Sequence, residues 1–201
     1  MNPCYISDLS FNMSKEHGEN CGCSTHAHST SQTLSELEFE RGLWTAAIDN
    51  DIGKVEKLLR QGNNPNKRDN AGYTALHYAA RAGSVKVLMA LLNHGADPNS
   101  QTPSGKTTPL HRAAYMGHLE CLQILIQHGA HVNLVDSDGK SALHKCAERK
   151  QYLCAEWILD KSGDNFEVII NAKDRKGNTP FDLCSPYHQN IECWKKLFMN
   201  R

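Results

Sequence analysis

Residues 72–80 read Gly72-Tyr73-Thr74-Ala75-Leu76-His77-Tyr78-Ala79-Ala80, and this stretch decides the fold because the chain repeats it. It returns as Gly105-Lys106-Thr107-Thr108-Pro109-Leu110-His111-Arg112-Ala113-Ala114, and again as Gly139-Lys140-Ser141-Ala142-Leu143-His144-Lys145-Cys146-Ala147. A weaker fourth copy occupies residues 177–184. The histidine recurs after 34 and then 33 residues. A period of this length predicts a stack of small repeated units.

An apolar segment that ends in glycine follows each of the first three copies. These segments are residues 87–95, 121–129 and 154–163. In the first of them, four apolar side chains between Val87 and Leu92 have the spacing of one helix face. One unit cannot cover such a face alone, so neighbouring units must stack and the hydrophobic core must run lengthwise.

The repeated residues resemble the ankyrin-repeat family, whose unit combines a β-turn with two helices and carries a Thr-Pro-Leu-His signature. The resemblance covers about residues 39–201. It implies an all-α ankyrin-repeat solenoid of about five helix–turn–helix units with β-turn fingers, capped at both ends. Within a domain at 33–201, the approximate units are residues 39–71, 72–104, 105–138, 139–176 and 177–201.

The terminal units depart from the pattern, as the outer units of a stack usually do. Trp44 stands where the first unit should carry its histidine, and residues 35–38 have the pattern of a capping box that starts an earlier helix. We predict an N-terminal cap there and a C-terminal cap around Trp194 and Phe198.

The repeat spacing lengthens between the fourth and fifth units. Asn133 and Asn171 are 38 residues apart, five more than the usual 33, and the excess falls around residues 160–167. One interpretation is a lengthened surface loop at a helix end, because loop closure grows slowly with length. The other is a partner-specific protrusion that exposes Phe166. The sequence leaves both open.

Residues 1–32 differ from the rest of the chain, since they are rich in Ser, Asn, Thr and His and have few aliphatic residues. We predict a flexible tail. Cysteine and histidine are the usual zinc ligands, and the tail contains a weak candidate cluster: His17, Cys21, Cys23, His26 and His28. Their spacings are not those of common structural zinc modules. We expect no cofactor, and a metal-dependent regulator whose tail binds zinc is the alternative function.

Composition argues against several classes of function. The 201 residues include 22 Lys plus Arg and 22 Asp plus Glu, a formal net charge of zero, so no general field attracts nucleic acid or an anionic membrane surface. No apolar run approaches the roughly 20 residues of a membrane span, and we recognise no secretory signal. We expect a cytoplasmic protein, with the nucleus left open. The eight cysteines are then expected to be free thiols, five of them in core positions.

No catalytic constellation stands out. The sequence lacks a Walker-type phosphate loop, a Gly-x-Ser-x-Gly elbow and a His-Glu-x-x-His pair. His77, His111 and His144 recur once per unit at one place, which indicates a role in the unit rather than in a single active site. The resemblance implies that their imidazoles bond loop backbone between neighbouring repeats. We expect a noncatalytic protein.

What remains is recognition of another protein on the surface formed by the fingers and the first helices. Specificity should lie where the copies differ, and those positions are rich in Tyr, Met and Arg, which are enriched at interfaces. The candidates are Tyr73, Tyr78, Arg81, Lys106, Arg112, Tyr115, Met116, Lys140, Lys145, Glu148 and Arg149. We expect a monomer that binds an acidic or amphipathic segment. The competing interpretation is a solvated helix face.

Asn99 and Asn133 occupy equivalent places in two units. The resemblance implies that asparaginyl hydroxylases modify this position in some members of the family. Bonding within the turn is a sufficient structural reason for an asparagine there, so the sequence leaves both explanations open.

Overall fold

The computed structural model describes residues 42–184, apart from the side chain of Asp164. Within this range the chain folds into α-helices with no β-strand; each of the first four repeats contributes a pair of helices, and the fourth adds a short third one. The helices are α1 Leu43–Ile48, α2 Ile52–Arg60, α3 Ala75–Ala82, α4 Val85–Asn93, α5 Pro109–Met116, α6 Leu119–Gln127, α7 Ala142–Arg149, α8 Tyr152–Ser162 and α9 Phe166–Ile170. The predicted tail at 1–32 and the predicted caps at 35–38 and 194–198 lie outside the described residues.

The helices form two rows. The first helices of the units (α1, α3, α5 and α7) pack side by side, and the second helices (α2, α4, α6 and α8) form a parallel row behind them. The first-helix row is the more tightly packed, because alanines at its contacts, such as Ala80 and Ala114, are fully buried and let the backbones approach. This arrangement confirms the predicted all-α solenoid.

The core runs lengthwise between the two rows. Val87, Leu88 and Leu91 of α4 are fully buried, and Leu122 and Leu125 repeat their contacts in α6. Four buried free cysteines take apolar places in the same core, as predicted: Cys121, Cys146, Cys154 and Cys184.

The repeated histidine joins one unit to the next. Thr74 is the N-cap of α3, and its backbone N–H donates to Nδ1 of His77 at 3.2 Å. Because Nδ1 accepts, the ring proton resides on Nε2, which donates to a backbone carbonyl of the next finger. This bond measures 2.9, 3.0 and 3.3 Å in three successive units, from His77 to Thr107, His111 to Lys140, and His144 to Asn178. The inter-repeat role implied for the histidines is confirmed.

In the outer units other residues take the place of the histidine, and each makes one of its two kinds of bond. Trp44 is buried in the predicted position, and its indole Nε1 donates to the carbonyl oxygen of Lys67 at 3.1 Å. In the fourth copy Asp182 replaces the histidine, and its Oδ2 accepts from the backbone N–H of Thr179 at 2.8 Å. The position of the repeated histidine therefore accepts a histidine, a tryptophan or an aspartate, each of which bonds a nearby backbone group.

The five extra residues near the fourth unit form helix rather than loop. Helix α8 continues to Ser162, a 3₁₀ turn covers Gly163–Asn165, and α9 follows with Ile169 buried. Phe166 is partly buried against the core, so both sequence interpretations are wrong on this point. The aromatic ring packs against the core, and Val168 of α9 is left 66% exposed.

We predict that the free energy of unfolding falls between pH 7 and pH 5. Burial, the largest cause, lowers the pKa of His77 and of His111 to about 4. The unfolded imidazoles, with a pKa near 6.5, take up protons over this range while the native ones stay neutral. The loss should be about 2 kcal/mol for each histidine.

Urea denaturation at the two pH values measures this change. Between pH 8 and pH 7 the unfolded imidazoles are already neutral, so stability there should hardly change, which provides the control. Equal stability at pH 7 and pH 5 would contradict the neutral, buried state of these rings.

The same substitution should have opposite effects at two glycines. Gly95 has a φ of +83° and open space around a Cβ, whereas Gly53 lies inside α2. Gly95→Ala forces a left-handed backbone on alanine and should lower the free energy of unfolding by about 1 kcal/mol. Gly53→Ala should raise it by about 0.5–1 kcal/mol, since it removes backbone entropy from the unfolded chain. Urea denaturation checks both signs, and a stabilised Gly95→Ala would refute the strain argument.

Candidate functional site

The fingers are the turns at residues 69–73, 102–107, 136–140 and 174–178. Three of them are stabilised by an aspartate that the sequence analysis did not single out. In the second unit, Oδ1 of Asp69 accepts from the backbone N–H groups of Ala71 and Tyr73, at 3.0 and 2.8 Å. Asp136 and Asp174 make the same pair of bonds in their fingers. The signal was present in the sequence, because an Asp-x-x-Gly pattern recurs in all three fingers.

Each of two fingers also uses its second carboxylate oxygen to fix a side chain nine residues later. Oδ2 of Asp69 accepts from the hydroxyl of Tyr78 at 2.5 Å. Oδ2 of Asp136 forms an ion pair with Nζ of Lys145 at 2.6 Å. Burial by itself would raise the pKa of Asp136, but the bonds from Lys145 and from the backbone hold it below its ordinary value. The first residue after the repeated histidine is thereby tied to its own finger.

The third unit breaks this rule. Its finger carries Thr102 in place of aspartate, and Thr102 Oγ1 accepts from the backbone N–H of Thr107. The side chain after the histidine is Arg112, which has no finger carboxylate to bind. It turns to the preceding unit instead, where its guanidinium lies 4.9 Å from the ring centroid of Tyr73 and donates to the tyrosine hydroxyl.

A cluster of two tyrosines and two arginines results. The rings of Tyr73 and Tyr78 lie 5.8 Å apart, and His77 meets Tyr73 edge-on at 5.5 Å. Together with Arg81 and Arg112 they line a pocket of about 90 Å³. Four predicted residues from two units thus meet at one place.

A second cation–aromatic contact crosses the next unit boundary. The guanidinium of Arg149 lies 4.6 Å from the ring centroid of Tyr115, a distance at which a cation and an aromatic face attract. Met116, beside Tyr115, is 42% exposed. We call Tyr73, Tyr78, Arg81, Arg112, Tyr115, Met116 and Arg149 the tyrosine–arginine face.

The remaining predicted residues are arranged differently. Lys140 pairs with Glu148 at 3.2 Å, and Lys145 is held by its finger aspartate with 16% of its side chain exposed. Lys106 is exposed at the tip of the third finger, with a φ of +48°. The structure therefore leaves less positive charge on the surface than a count of lysines and arginines suggests.

The buried histidines and thiols are poor candidates for catalysis. The imidazoles of His77 and His111 are fully bonded in the core. Burial raises the pKa of Cys121 to about 11 and that of Cys184 to about 12, which keeps these two thiols protonated and weakly nucleophilic. The pKa of Cys154 is lowered by its hydrogen bond with Cys146.

Residues 42–184 contain no group of three or more His, Cys, Asp or Glu side chains placed to hold a metal ion. The zinc candidates His17, Cys21, Cys23, His26 and His28 lie outside the described residues, so that alternative stays a prediction. Among the described helices, none has the length and apolar character to span a bilayer.

The two asparagine candidates differ in their bonds. Asn99 spans a unit boundary, since its Nδ2 donates to Gly129 O at 2.8 Å and its Oδ1 accepts from His131 N at 2.8 Å. Asn66 makes the equivalent bridge one unit earlier. Asn133 is exposed and makes no such bridge, because the glycine it would reach, Gly163, lies in the 3₁₀ turn after the longer α8.

Comparison with known proteins agrees with this architecture. The family model for ankyrin repeats (3 copies) matches residues 43–136 and 94–169. Ankyrin repeat domain-containing protein 39 of Homo sapiens is 49% identical over 71 residues, which are 35% of this chain and 39% of that protein. The Bos taurus protein of the same name is 47% identical over 66 residues, 33% and 36% of the two chains.

A longer but weaker similarity extends over most of the chain. The Transient receptor potential cation channel subfamily A member 1 homolog of Caenorhabditis elegans is 31% identical over 181 residues, 86% of this chain and 14% of the channel. All three matches cover well under two thirds of the relatives' own lengths. Since the family model covers more than half of this chain, the protein belongs to the ankyrin-repeat family, whose repeats mediate protein–protein interaction.

Proposed function

We propose that this chain is a noncatalytic recognition module, which acts as an adaptor, an assembly aid or an inhibitor by binding a partner through the tyrosine–arginine face. The observation that carries the proposal is the pair of arginine–tyrosine contacts across successive unit boundaries, Arg112 on Tyr73 and Arg149 on Tyr115. Tyrosine and arginine are the residues most enriched where interfaces carry their energy.

The arrangement of these side chains suits binding. Stacking on a tyrosine restrains a guanidinium before any partner arrives, so less side-chain entropy is lost on association. Exposed Met116 supplies an adaptable apolar contact beside Tyr115. On a purely solvated helix face, long charged side chains would be unrestrained. The stacked arginines and the exposed methionine therefore favour a surface that binds an amphipathic segment.

The charge of the face favours an acidic partner. Arg81, Arg112 and Arg149 form no ion pair among the described residues, whereas Lys140 and Lys145 do. The acidic or amphipathic partner proposed from the sequence is therefore retained, with three arginines rather than the lysines as its contacts. The four buried free thiols fit a reducing compartment such as the cytoplasm, where we propose that the protein works as a monomer.

The proposal predicts that Tyr115→Ala combined with Arg149→Glu lowers affinity for a captured partner at least tenfold, because it removes one aromatic anchor and reverses one charge. Affinity capture from cell lysate identifies the partner by comparison with the variant, and biolayer interferometry then measures both dissociation constants.

The matched control for this experiment is Lys86→Glu combined with Met89→Ala. Both residues are exposed on second helix α4, so the control repeats the change in charge and apolar area on the opposite side of the stack. Its affinity should stay within twofold of wild type. Equal loss in both variants, or no loss in the first, would refute binding through this face.

Asparagine hydroxylation, which the family resemblance implies, is proposed for Asn133 in preference to Asn99. A hydroxylase must approach the asparagine side chain, and at Asn99 this requires breaking two bridging bonds. Peptide mapping by mass spectrometry of protein from native cells should show oxygen addition at Asn133 and not at Asn99. An unmodified Asn133, or modification at Asn99 alone, would contradict this preference.

A further inference from the structure

The pocket between the second finger and the first helices of the second and third units has a specific chemistry. Tyr73, His77, Tyr78, Arg81 and Arg112 line its volume of about 90 Å³. This is space for one small polar group rather than for a cofactor or a helix. The groups that face it decide which small group it accepts.

The guanidinium of Arg112 retains most of its hydrogen-bonding capacity. It has five N–H donors, and the bond recorded for it is the one to the hydroxyl oxygen of Tyr73. Among the described side chains, no carboxylate forms an ion pair with Arg112 or with Arg81. For Arg112 the reason is local, since the finger of its unit carries Thr102 where three other fingers carry an aspartate.

The other polar groups of the pocket are donors or are already engaged. The Tyr73 oxygen accepts from Arg112, so its own O–H proton remains available to a third group. The hydroxyl of Tyr78 is engaged by Asp69, and burial followed by this bond raises the pKa of Tyr78 above its usual value. Nε2 of His77 donates to Thr107 O. The pocket therefore offers mainly hydrogen-bond donors.

The charges that line the pocket favour a small anion. Arg81 and Arg112 contribute two positive charges, and Asp69, which binds the hydroxyl of Tyr78, contributes one negative charge. One net positive charge matches a single carboxylate, which a guanidinium can bind with two parallel hydrogen bonds. A dianion would meet stronger repulsion from Asp69.

We propose that this pocket binds the carboxylate of a glutamate or aspartate side chain in the partner protein, with an aliphatic neighbour of that residue resting on Met116. Arg112 and Met116 are four residues apart in α5 and so lie on the same helix face. Met116 is 42% exposed there. This inference rests on the proposed function and names the group that its partner presents.

Side-chain NMR of the full-length, isotope-labelled chain tests the proposal. The probes are two acetylated and amidated peptides, Gly-Gly-Glu-Leu-Gly and Gly-Gly-Gln-Leu-Gly, which differ only in the carboxylate, and inorganic phosphate as a third ligand. The glutamate peptide should shift the Arg112 Nε–H resonance saturably. The glutamine peptide and phosphate should each bind at least tenfold more weakly.

Three variants assign the contacts. Arg112→Gln should weaken binding of the glutamate peptide at least tenfold, and Tyr73→Phe should weaken it about threefold because one neutral donor is lost while the ring remains. Lys86→Gln removes a positive charge from exposed α4 and should bind as wild type does. The backbone amide spectrum of each variant verifies that the repeats remain folded.

Several outcomes would overturn the inference. Equal affinity for the two peptides would show that no carboxylate site exists, and tighter binding of phosphate would identify a phosphate site instead. Unchanged affinity in Arg112→Gln would place the contact elsewhere. The proposed function fails by a separate route, since the Tyr115 and Arg149 variant can retain its partner whether or not the pocket binds glutamate.

Discussion

The neutral imidazole of the repeated histidine is the interaction on which the rest of the structure depends. Its Nδ1 accepts a hydrogen bond from the N-cap residue of its own helix, and its Nε2 donates to a backbone carbonyl of the next finger. These bonds fix the first helix of each of three units to the finger of the following unit. Since the fingers carry Tyr73 and the first helices carry Arg112, the surface proposed for binding has its geometry set by a bond buried beneath it.

The proposed binding surface belongs to the stack and not to any single unit. Each of the two stacked arginines comes from the unit after its tyrosine, so an isolated repeat would present neither contact. Small differences between copies then have large effects. In the fourth unit, the finger aspartate Asp136 neutralises Lys145, the residue after the histidine. In the third unit, threonine replaces the aspartate, and Arg112 keeps its charge without a carboxylate partner in its finger.

The sequence was sufficient for the fold because period and packing repeat together. The histidine spacing defines the repeat. From that repeat we could predict both the buried apolar stripe from Val87 to Leu92 and the thiols at core positions. Two other features depend on three-dimensional context. The sequence indicates that the segment after residue 160 is longer than in the other units, but its helical form, with Phe166 packed against the core, depends on tertiary contacts. Likewise, the ion pair that removes Lys145 from the surface depends on a finger geometry set by several backbone bonds.

The missing asparagine bridge at Asn133 has a consequence for how the stack comes apart. In a linear array each unit is stabilised by its neighbours, and the earlier boundaries have a second-row link from Asn66 or Asn99 that this boundary lacks. The histidine bond from His111 to Lys140, at 3.0 Å, remains across this boundary, while the longest of the three, from His144 to Asn178 at 3.3 Å, lies at the next one. Partial unfolding should therefore begin at this seam, so that the C-terminal segment opens to proteases and amide exchange while the units that carry the tyrosines stay folded.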